Sequence, residues 1–322
     1  MLAAVYYDNG GPEVFRYEEV PDPTPGPEEV LIRVAAVGIQ GGDILNRYEG
    51  ALLPSPHVVG YQCAGTVIAT GGQVAGFEPG DRVVTVGLNG SHAQLRSTSQ
   101  SFCWLIPDAM SFETAACVPT EFGTASDCLF EFGRLQAGET VLIHAGASGV
   151  GIAAIQLAKR AGARVLATAS SDERLERLRA FGLDEGINHT SVAFPDAVRS
   201  LTGGAGADVI VDAVGGETLQ KSLHCLAYRG RCVNFGNAGR EQSPHLDVSS
   251  MTGNNQTFVS YYLGAEIFFT PRPHRVIGEL LGEIGRGELR VEIDKRFPLA
   301  DAAGAHAYVE SRQALGRVIL TA

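Results

Sequence analysis

Val-Leu-Ile-His-Ala-Gly-Ala-Ser-Gly-Val-Gly, residues 141–151, decides the fold of this chain. An apolar run of strand type passes into a glycine-rich turn and then directly into a stretch of helical periodicity with a small, apolar face. Gly146, Gly149 and Gly151 remove side chains where a backbone must approach a diphosphate and where a helix must pack on a strand. The start of the helix then offers unbonded N–H groups and a partial positive charge to an anion. The spacing is G-x-x-G-x-G rather than the commoner G-x-G-x-x-G, so the reading rests on the strand and helix that flank the turn.

Working outward, strands alternate with helices. The pattern predicts strands over 140–144, 164–168, 208–213 and 231–235, and helices over 150–161 and 172–181. Such alternation implies a parallel sheet covered on both faces, a doubly wound α/β Rossmann domain. Before residue 120 the character is different. Short β-branched segments at 30–37, 64–69 and 81–86 are bounded by Gly, Pro or Asp, and four prolines within 21–27 enforce an extended loop. That is the signature of a compact, barrel-like β domain. Beyond it, helices are expected over 275–286 and 301–311, then a last strand over 316–320. This strand has no partner in the alternation and is expected to return to the N-terminal β domain, making that domain discontinuous. The expected boundaries are 1–120 with 264–322 for the β domain, and 121–263 for the Rossmann domain.

Composition narrows the function classes. The 322 residues carry 36 acids against 25 Lys and Arg, a net charge of −11, which disfavours sequence-independent nucleic-acid binding and an anionic membrane surface. No apolar run approaches membrane-spanning length, and the N-terminus has no positive n-region. Cysteines at 63, 103, 117, 128, 225 and 232 form no C-x-x-C pair, so they read as reduced, mostly buried residues of a cytoplasmic protein.

The identity of the dinucleotide is read at the end of the second Rossmann strand. A site for NAD usually places an acid there for the ribose hydroxyls, whereas a 2′-phosphate asks for a cation and hydroxyls. The strand ends Ala167-Thr168-Ala169-Ser170-Ser171, without an acid, and Arg174 follows one turn on. Ser170, Ser171 and Arg174 therefore suggest a 2′-phosphate pocket and NADPH. Two other readings stand beside it: the serines cap a helix whose Arg174 is solvated, or Asp172 serves as a displaced ribose acid.

These residues carry a resemblance over nearly the whole chain. Gly10-Gly11-Pro12-Glu13-Val14, Val37-Gly38-Ile39, Gly80-Asp81-Arg82-Val83, the 145–151 loop, Asp212-Ala213-Val214-Gly215-Gly216 and Val233-Asn234-Phe235-Gly236-Asn237 together resemble the zinc-free quinone oxidoreductase branch of the medium-chain dehydrogenase/reductases. The resemblance implies a GroES-like catalytic domain built from both chain ends, a Rossmann domain between them and a cleft holding the nicotinamide. It also implies homodimers made by pairing edge strands, for which 257–262 is the candidate. The implied cofactor-binding set is Gly146, Ala147, Ser148, Gly149, Val150 and Gly151 in the loop, and Ser170, Ser171, Arg174 and His189 on the 2′-phosphate side. Thr124, Val214, Phe235 and Asn237 border the nicotinamide, and Arg317 reaches toward the phosphates or is a surface charge. For His189 an ordinary strand-end role, and for Thr124 the start of a helix, remain open.

Zinc-dependent relatives carry Gly-Ile-Cys-Gly-x-Asp and Gly-His-Glu-x-x-Gly. Here the matching stretches are Gly38-Ile39-Gln40-Gly41-Gly42-Asp43 and Gly60-Tyr61-Gln62-Cys63-Ala64-Gly65. Carboxamides and a phenol are poor zinc ligands beside thiolate and imidazole, and the four-cysteine structural loop is missing, so no metal is expected. Without a Lewis acid, reduction of a quinone or an α,β-unsaturated carbonyl compound is easier than oxidation of an alcohol, since the growing oxyanion needs only hydrogen-bond donors. Gln40 can donate through its NH₂ group, and Tyr61 is either a proton donor or oxyanion partner or part of the wall. Family tyrosines on the substrate side are replaced by Leu45 and by Gly50-Ala51-Leu52-Leu53-Pro54, with Tyr48 and Tyr61 nearby, which predicts a more apolar pocket. Two alternatives are carried forward: an enoyl-thioester reductase, and a non-catalytic NADPH-binding regulatory protein on the same scaffold.

Overall fold

The alternation that starts at residue 140 resolves into six strands, all paired in parallel. Their order across the sheet is Glu185–Asn188, Arg164–Ala169, Thr140–Ile143, Ala207–Asp212, Leu226–Asn234 and Thr257–Ser260. Numbered within the sheet this is 3-2-1-4-5-6, the doubly wound order whose direction reverses between Thr140–Ile143 and Ala207–Asp212. The computed structural model describes residues 1–52, 54–241 and 246–322. Leu53, one of the residues replacing the family tyrosine segment, lies outside them.

Parallel strands covered on both faces read as continuous apolar runs, and Val141, Leu142 and Ile143 are all buried. On one face Leu142, Leu166 and Ile210 pack with Phe194 and Val198 of the Phe194–Leu201 helix and with Leu219 and Leu223 of the Gly216–Cys225 helix. The Gly149–Arg160 helix packs against Thr140–Ile143 and Arg164–Ala169, and buries Ile152, Ala153, Ile155 and Leu157. Burying each such leucine or isoleucine contributes about 1.5–3 kcal/mol, which is what holds the turn before this helix in place.

Several elements differ from the sequence expectation. The 172–181 helix is α-helical only over Asp172–Leu178 and tightens to a 3₁₀ turn over Arg179–Phe181, stopped by Gly182 at φ 106°. The strand expected at 231–235 begins earlier, at Leu226. The short strand Glu185–Asn188 and the helices Phe194–Leu201 and Gly216–Cys225 are not among the expected elements. Thr257–Ser260 lies at the sheet edge and is shorter than the expected 257–262.

The chain divides into two compact units, Met1–Thr120 with Gly264–Ala322, and Glu121–Leu263. In the first, a seven-stranded sheet runs Ile293–Pro298, Arg317–Thr321, Glu29–Gly38, Gln62–Thr70, Arg82–Val86 and Cys103–Leu105, and Leu95–Ser99 also pairs with Glu29–Gly38. The C-terminal strand thus lies antiparallel to a strand from the start of the chain, with Leu320 opposite Val37. Glu29–Gly38 meets Gln62–Thr70 with two register shifts, local irregularities that bend and twist a sheet. A smaller sheet pairs Leu2–Tyr6 with Arg16–Glu19 and His57–Val58. Between strands and the Ala302–Glu310 helix lies a core of Val34, Val37, Ile39, Leu299 and Leu320. Among the described residues no helix is long and apolar enough to cross a membrane.

Candidate active site

In the Glu121–Leu263 unit, candidate residues gather where five parallel strands end. The first strand stops at Ile143, and His144 continues it with a backbone bond to the Val211 carbonyl at 3.0 Å. Ala145 then adopts φ 51°, a left-handed conformation that costs a non-glycine residue about 1–2 kcal/mol. Its carbonyl accepts the Ser148 N–H at 2.9 Å and so stabilises the turn. A Cβ at Gly146 would lie 2.8 Å from the Ala167 Cβ, and one at Gly151 would lie 2.5 Å from the Ala145 carbonyl oxygen. Loop, helix and neighbouring strand are therefore in backbone contact. Ser148 caps the helix, its Oγ accepting the Gly151 N–H at 3.0 Å. This leaves the N–H groups of Gly149 and Val150, to which helical geometry gives no intrahelical carbonyl. The helix has no acid in its first turn and has Lys159 and Arg160 in its last, so its dipole at the loop is unopposed. The cradle suits a diphosphate.

His144 is buried, with Nδ1 3.1 Å from Thr168 Oγ1 and Nε2 2.9 Å from Ser222 Oγ. Burial lowers its basicity, so it sits behind the loop as a neutral brace.

The next two strands place Ser170 and His189 one residue beyond the paired Ala169 and Asn188. The His189 N–H donates to Ala169 at 3.2 Å, and Thr190 Oγ1 lies 3.5 Å from the Ser170 carbonyl. Ser171 caps the Asp172–Leu178 helix by accepting the Arg174 N–H at 3.3 Å. The capping role weighed from sequence is thus present, but it uses a lone pair and leaves the Ser171 O–H as a donor. Asp172 accepts Asn188 Nδ2 at 3.0 Å, which ties its carboxylate to the neighbouring strand end. Ser170, Ser171 and His189 thus follow adjacent strand ends, with Arg174 in the first turn of the helix after Ser171.

Beyond the switch point, Asp212 organises the remaining loops. Wholly buried, its carboxylate accepts the Val214 N–H at 2.8 Å, the Gly215 N–H at 3.2 Å and Asn234 Nδ2 at 3.1 Å. Phe235 donates its N–H to the Asp212 carbonyl, and Ala238 and Gly239 donate theirs to Ala213 and Val214. The 212–216 and 234–239 loops are thereby laced together. Asn237 gives its Nδ2 to the Glu241 carbonyl at 3.1 Å, while its Oδ1 is buried without a hydrogen-bond partner among the described residues. A buried acceptor of that kind is costly unless a ligand supplies a donor. Sequence reasoning named Val214, Phe235 and Asn237 but missed Asp212, which a lone acid closing an apolar strand before Gly-Gly could have revealed. Thr124 is buried as the sixth residue of the Pro119–Ser126 helix, not at its start.

In the other unit, Gln40, Tyr61 and Arg317 surround Asp43. Gln40 precedes the Gly41–Glu49 helix, and its N–H donates to Asp43 Oδ2 at 2.8 Å. Asp43 Oδ1 accepts the Tyr61 N–H at 3.0 Å. The carboxylate is 0% exposed, and burial pushes its pKa up to about 7 against the opposing pull of those two N–H groups, Arg317 and Arg96. The Arg317 guanidinium donates to the Ile39 carbonyl, which places it beside this turn rather than in bulk solvent. Arg96 Nη1 holds the Tyr61 carbonyl at 3.1 Å. The Tyr61 ring lies directly on Gly42, where a Cβ would come within 2.8 Å of the phenol oxygen. Gln62 is buried, with Oε1 accepting the Thr120 N–H at 3.1 Å. Tyr48 is exposed on its helix, under the Arg47 guanidinium at 4.7 Å.

The three positions where a zinc site would offer thiolate, imidazole and carboxylate therefore hold a carboxamide, a phenol seated on glycine and a second carboxamide bonded to backbone. This donor set does not suit zinc. A cavity of about 750 Å³ lined by Arg134, Glu139, Asp208, Tyr228 and Arg231 lies at the opposite, N-terminal ends of the parallel strands. Ligands of open α/β sheets bind at the carboxyl ends, so this cavity is not the dinucleotide site.

Residues 26–130 match the family described as alcohol dehydrogenase GroES-like domain, and residues 149–274 match zinc-binding dehydrogenase. A quinone oxidoreductase of Pseudomonas aeruginosa is 36% identical over 97% of this chain and 96% of its own length. A 2-haloacrylate reductase of Burkholderia is 32% identical over 99% and 98%. The structure of Escherichia coli quinone oxidoreductase complexed with NADPH superposes with a TM-score of 0.93 at 28% identity, covering 100% of both chains.

Proposed function

The chain belongs to the zinc-free quinone oxidoreductase branch of the medium-chain dehydrogenase/reductase superfamily, and on that premise we propose that it is an NADPH-dependent reductase of quinones or α,β-unsaturated carbonyl compounds. The observation that carries this reading is the Ile143–Gly151 turn: a capped helix start with no first-turn acid, pressed on its strands by two glycines, at the switch point of a 3-2-1-4-5-6 sheet.

Each residue has a task. Gly146, Ala147, Ser148, Gly149, Val150 and Gly151 hold the diphosphate against the helix start. Ser170, Ser171, Arg174 and His189 take the 2′-phosphate, with Arg174 as its cation and the serine hydroxyls as donors. Val214, Phe235 and Asn237, fixed by Asp212, would border the nicotinamide, and Asn237 Oδ1 would be an acceptor available to it. Thr124, in the same unit, would belong to the same side. The bound nicotinamide supplies the hydride.

The chain's own contribution to the chemistry is electrostatic. During reduction negative charge would grow on the acceptor's oxygen, and the Gln40 NH₂ and Tyr61 hydroxyl are the donors proposed to stabilise it. Such a donor typically contributes about 2.7–4 kcal/mol of transition-state stabilisation. No step passes through a metal, because residues 40, 61 and 62 do not suit one. A cytoplasmic homodimer joined along Thr257–Ser260 completes the proposal, supported by the edge position of that strand.

The test is nicotinamide oxidation with a panel of 1,4-quinones, small enones and enoyl-thioesters, with and without a chelator. Turnover of quinones or enones with NADPH, unaffected by chelator, is expected. Preference for enoyl-thioesters would favour the acyl-chain alternative, and NADPH binding without turnover of any acceptor would favour a regulatory protein.

A further inference from the structure

Arg47, on the Gly41–Glu49 helix, is wholly buried. Its guanidinium reaches three partners: Nε donates to the Gly10 carbonyl at 2.9 Å, Nη2 pairs with Glu310 at 2.7 Å and Nη1 donates to His306 Nδ1 at 2.8 Å. Arginine can only donate, so His306 accepts on Nδ1 and, as a neutral ring, carries its proton on Nε2. That nitrogen faces His92 Nε2 at 3.0 Å. His92 must therefore accept there and carry its own proton on Nδ1, which faces Ser91 Oγ at 3.3 Å. Burial keeps both rings neutral, taking His92 down to about 3 and His306 well below the usual imidazole range. One buried cation thus sets the direction of every bond in a chain running Arg47 to His306 to His92 to Ser91.

The far end of this chain bears on Tyr61. Ser91 and His92 bond through their backbone N–H groups to the carbonyls of Gly60 and Val59, at 3.3 and 3.0 Å. Gly60 takes φ 119°, and a Cβ there would overlap Ser91 Oγ and His92 Nδ1. The next residue is Tyr61, whose N–H is held by Asp43 and whose carbonyl is held by Arg96.

We propose that the Arg47–His306–His92–Ser91 chain is a positioning device for Tyr61, with His92 the positioning residue whose ring packs against Gly60. Its catalytic consequence rests on the reading of Tyr61 as an acceptor-side donor; its structural content does not. In this proposal His92 acts only through Gly60 and Tyr61.

Two measurements on the full chain test it. In ¹⁵N-histidine spectra, His306 should carry its proton on Nε2 and His92 on Nδ1, and neither should titrate between about pH 6 and 8. The opposite tautomers, or an imidazolium in that range, would overturn the polarity on which the device depends. In His92→Phe, and more mildly in Ser91→Ala should the first fold poorly, exchange of the Tyr61 amide should quicken by about tenfold. The Ile32 amide of the same unit should be unchanged, and kcat should fall by about tenfold with the NADPH Kd unchanged. Equal acceleration at Ile32 and Tyr61, or none at Tyr61, would reduce the network to ordinary core support. A wild-type chain that reduces no acceptor would refute the proposed activity while leaving the exchange result to decide this inference.

Discussion

Asp43 Oδ1 accepts the Tyr61 N–H at 3.0 Å, tying a helix start to a strand start 18 residues further on. Its other oxygen accepts the Gln40 N–H at 2.8 Å, so one buried carboxylate sets the backbone of both proposed acceptor-side residues. Asn at this position offers one acceptor and presents an NH₂ to the second N–H. Loss of such a buried bond costs about 1–3 kcal/mol. Asp43→Asn is therefore predicted to lower Tm and reduce kcat by about tenfold, with the NADPH Kd within about twofold of wild type. Melting curves, steady-state rates and nucleotide titration check this; an equal loss of NADPH affinity would contradict the separation of roles.

Tyr61→Phe keeps the ring on Gly42 and removes only the hydroxyl. If that hydroxyl receives charge from the acceptor, kcat falls by about a hundred- to a thousandfold while Tm stays within a few degrees. Unchanged kcat across the acceptor panel would assign the ring to packing alone.

Arg174→Ala separates the two nicotinamide cofactors. A charge-assisted contact to phosphate contributes about 1.5–3 kcal/mol, so NADPH should bind about 10- to 100-fold more weakly while NADH changes by less than about twofold. The exposed Asp172 and Glu173 in the same helix turn oppose a phosphate, which makes this single cation decisive. Comparable losses for both nucleotides would remove Arg174 from the 2′-phosphate site.

The pH dependence of stability follows from four buried groups. Burial lowers His92, His144 and His306 below the ordinary imidazole value. Below about pH 6.5 the unfolded chain binds protons that these folded rings refuse, so stability rises with pH up to that point, each fully titrating ring contributing about 1.4 kcal/mol per pH unit. Asp43, raised to about 7, acts oppositely: its folded carboxyl keeps a proton that the unfolded one has lost above about pH 4, so its share of stability falls as pH rises toward 7. Three rings pull one way and one carboxyl the other. Tm is predicted to climb between about pH 4.5 and 6.5, with a shallower climb in His92→Phe. A flat Tm across that interval would show that the rings are not held neutral.

Much of this was legible in the sequence because local rules decide it. The 141–151 stretch declares strand, turn and helix through glycines that the backbone contacts at 146 and 151 require. Absence of an acid at 167–171 and the presence of Arg174 were readable for the same reason. What was not legible depends on distant partners. Asp212 is informative only once Asn234, 22 residues away, closes on its carboxylate. Asp43 gains meaning from Tyr61, and His92 from His306 at a separation of 214 residues. Ala145 at φ 51° escaped notice because alanine gives no sign of a left-handed turn. Gln40, Tyr61 and Gln62, by contrast, are poor zinc donors by their side-chain chemistry alone, which the sequence already displays.

Calorimetric titration of NADPH into the wild-type chain and into Gly151→Val bears most directly on the central claim that the turn after Ile143 holds a dinucleotide's diphosphate. A side chain at residue 151 would collide with the Ala145 carbonyl and open the cradle. One NADPH per wild-type chain, with binding of NADPH and NADH alike lost in a folded Gly151→Val, is the predicted result. A wild-type chain that retains neither nucleotide, or a variant that binds NADPH undiminished, would contradict it.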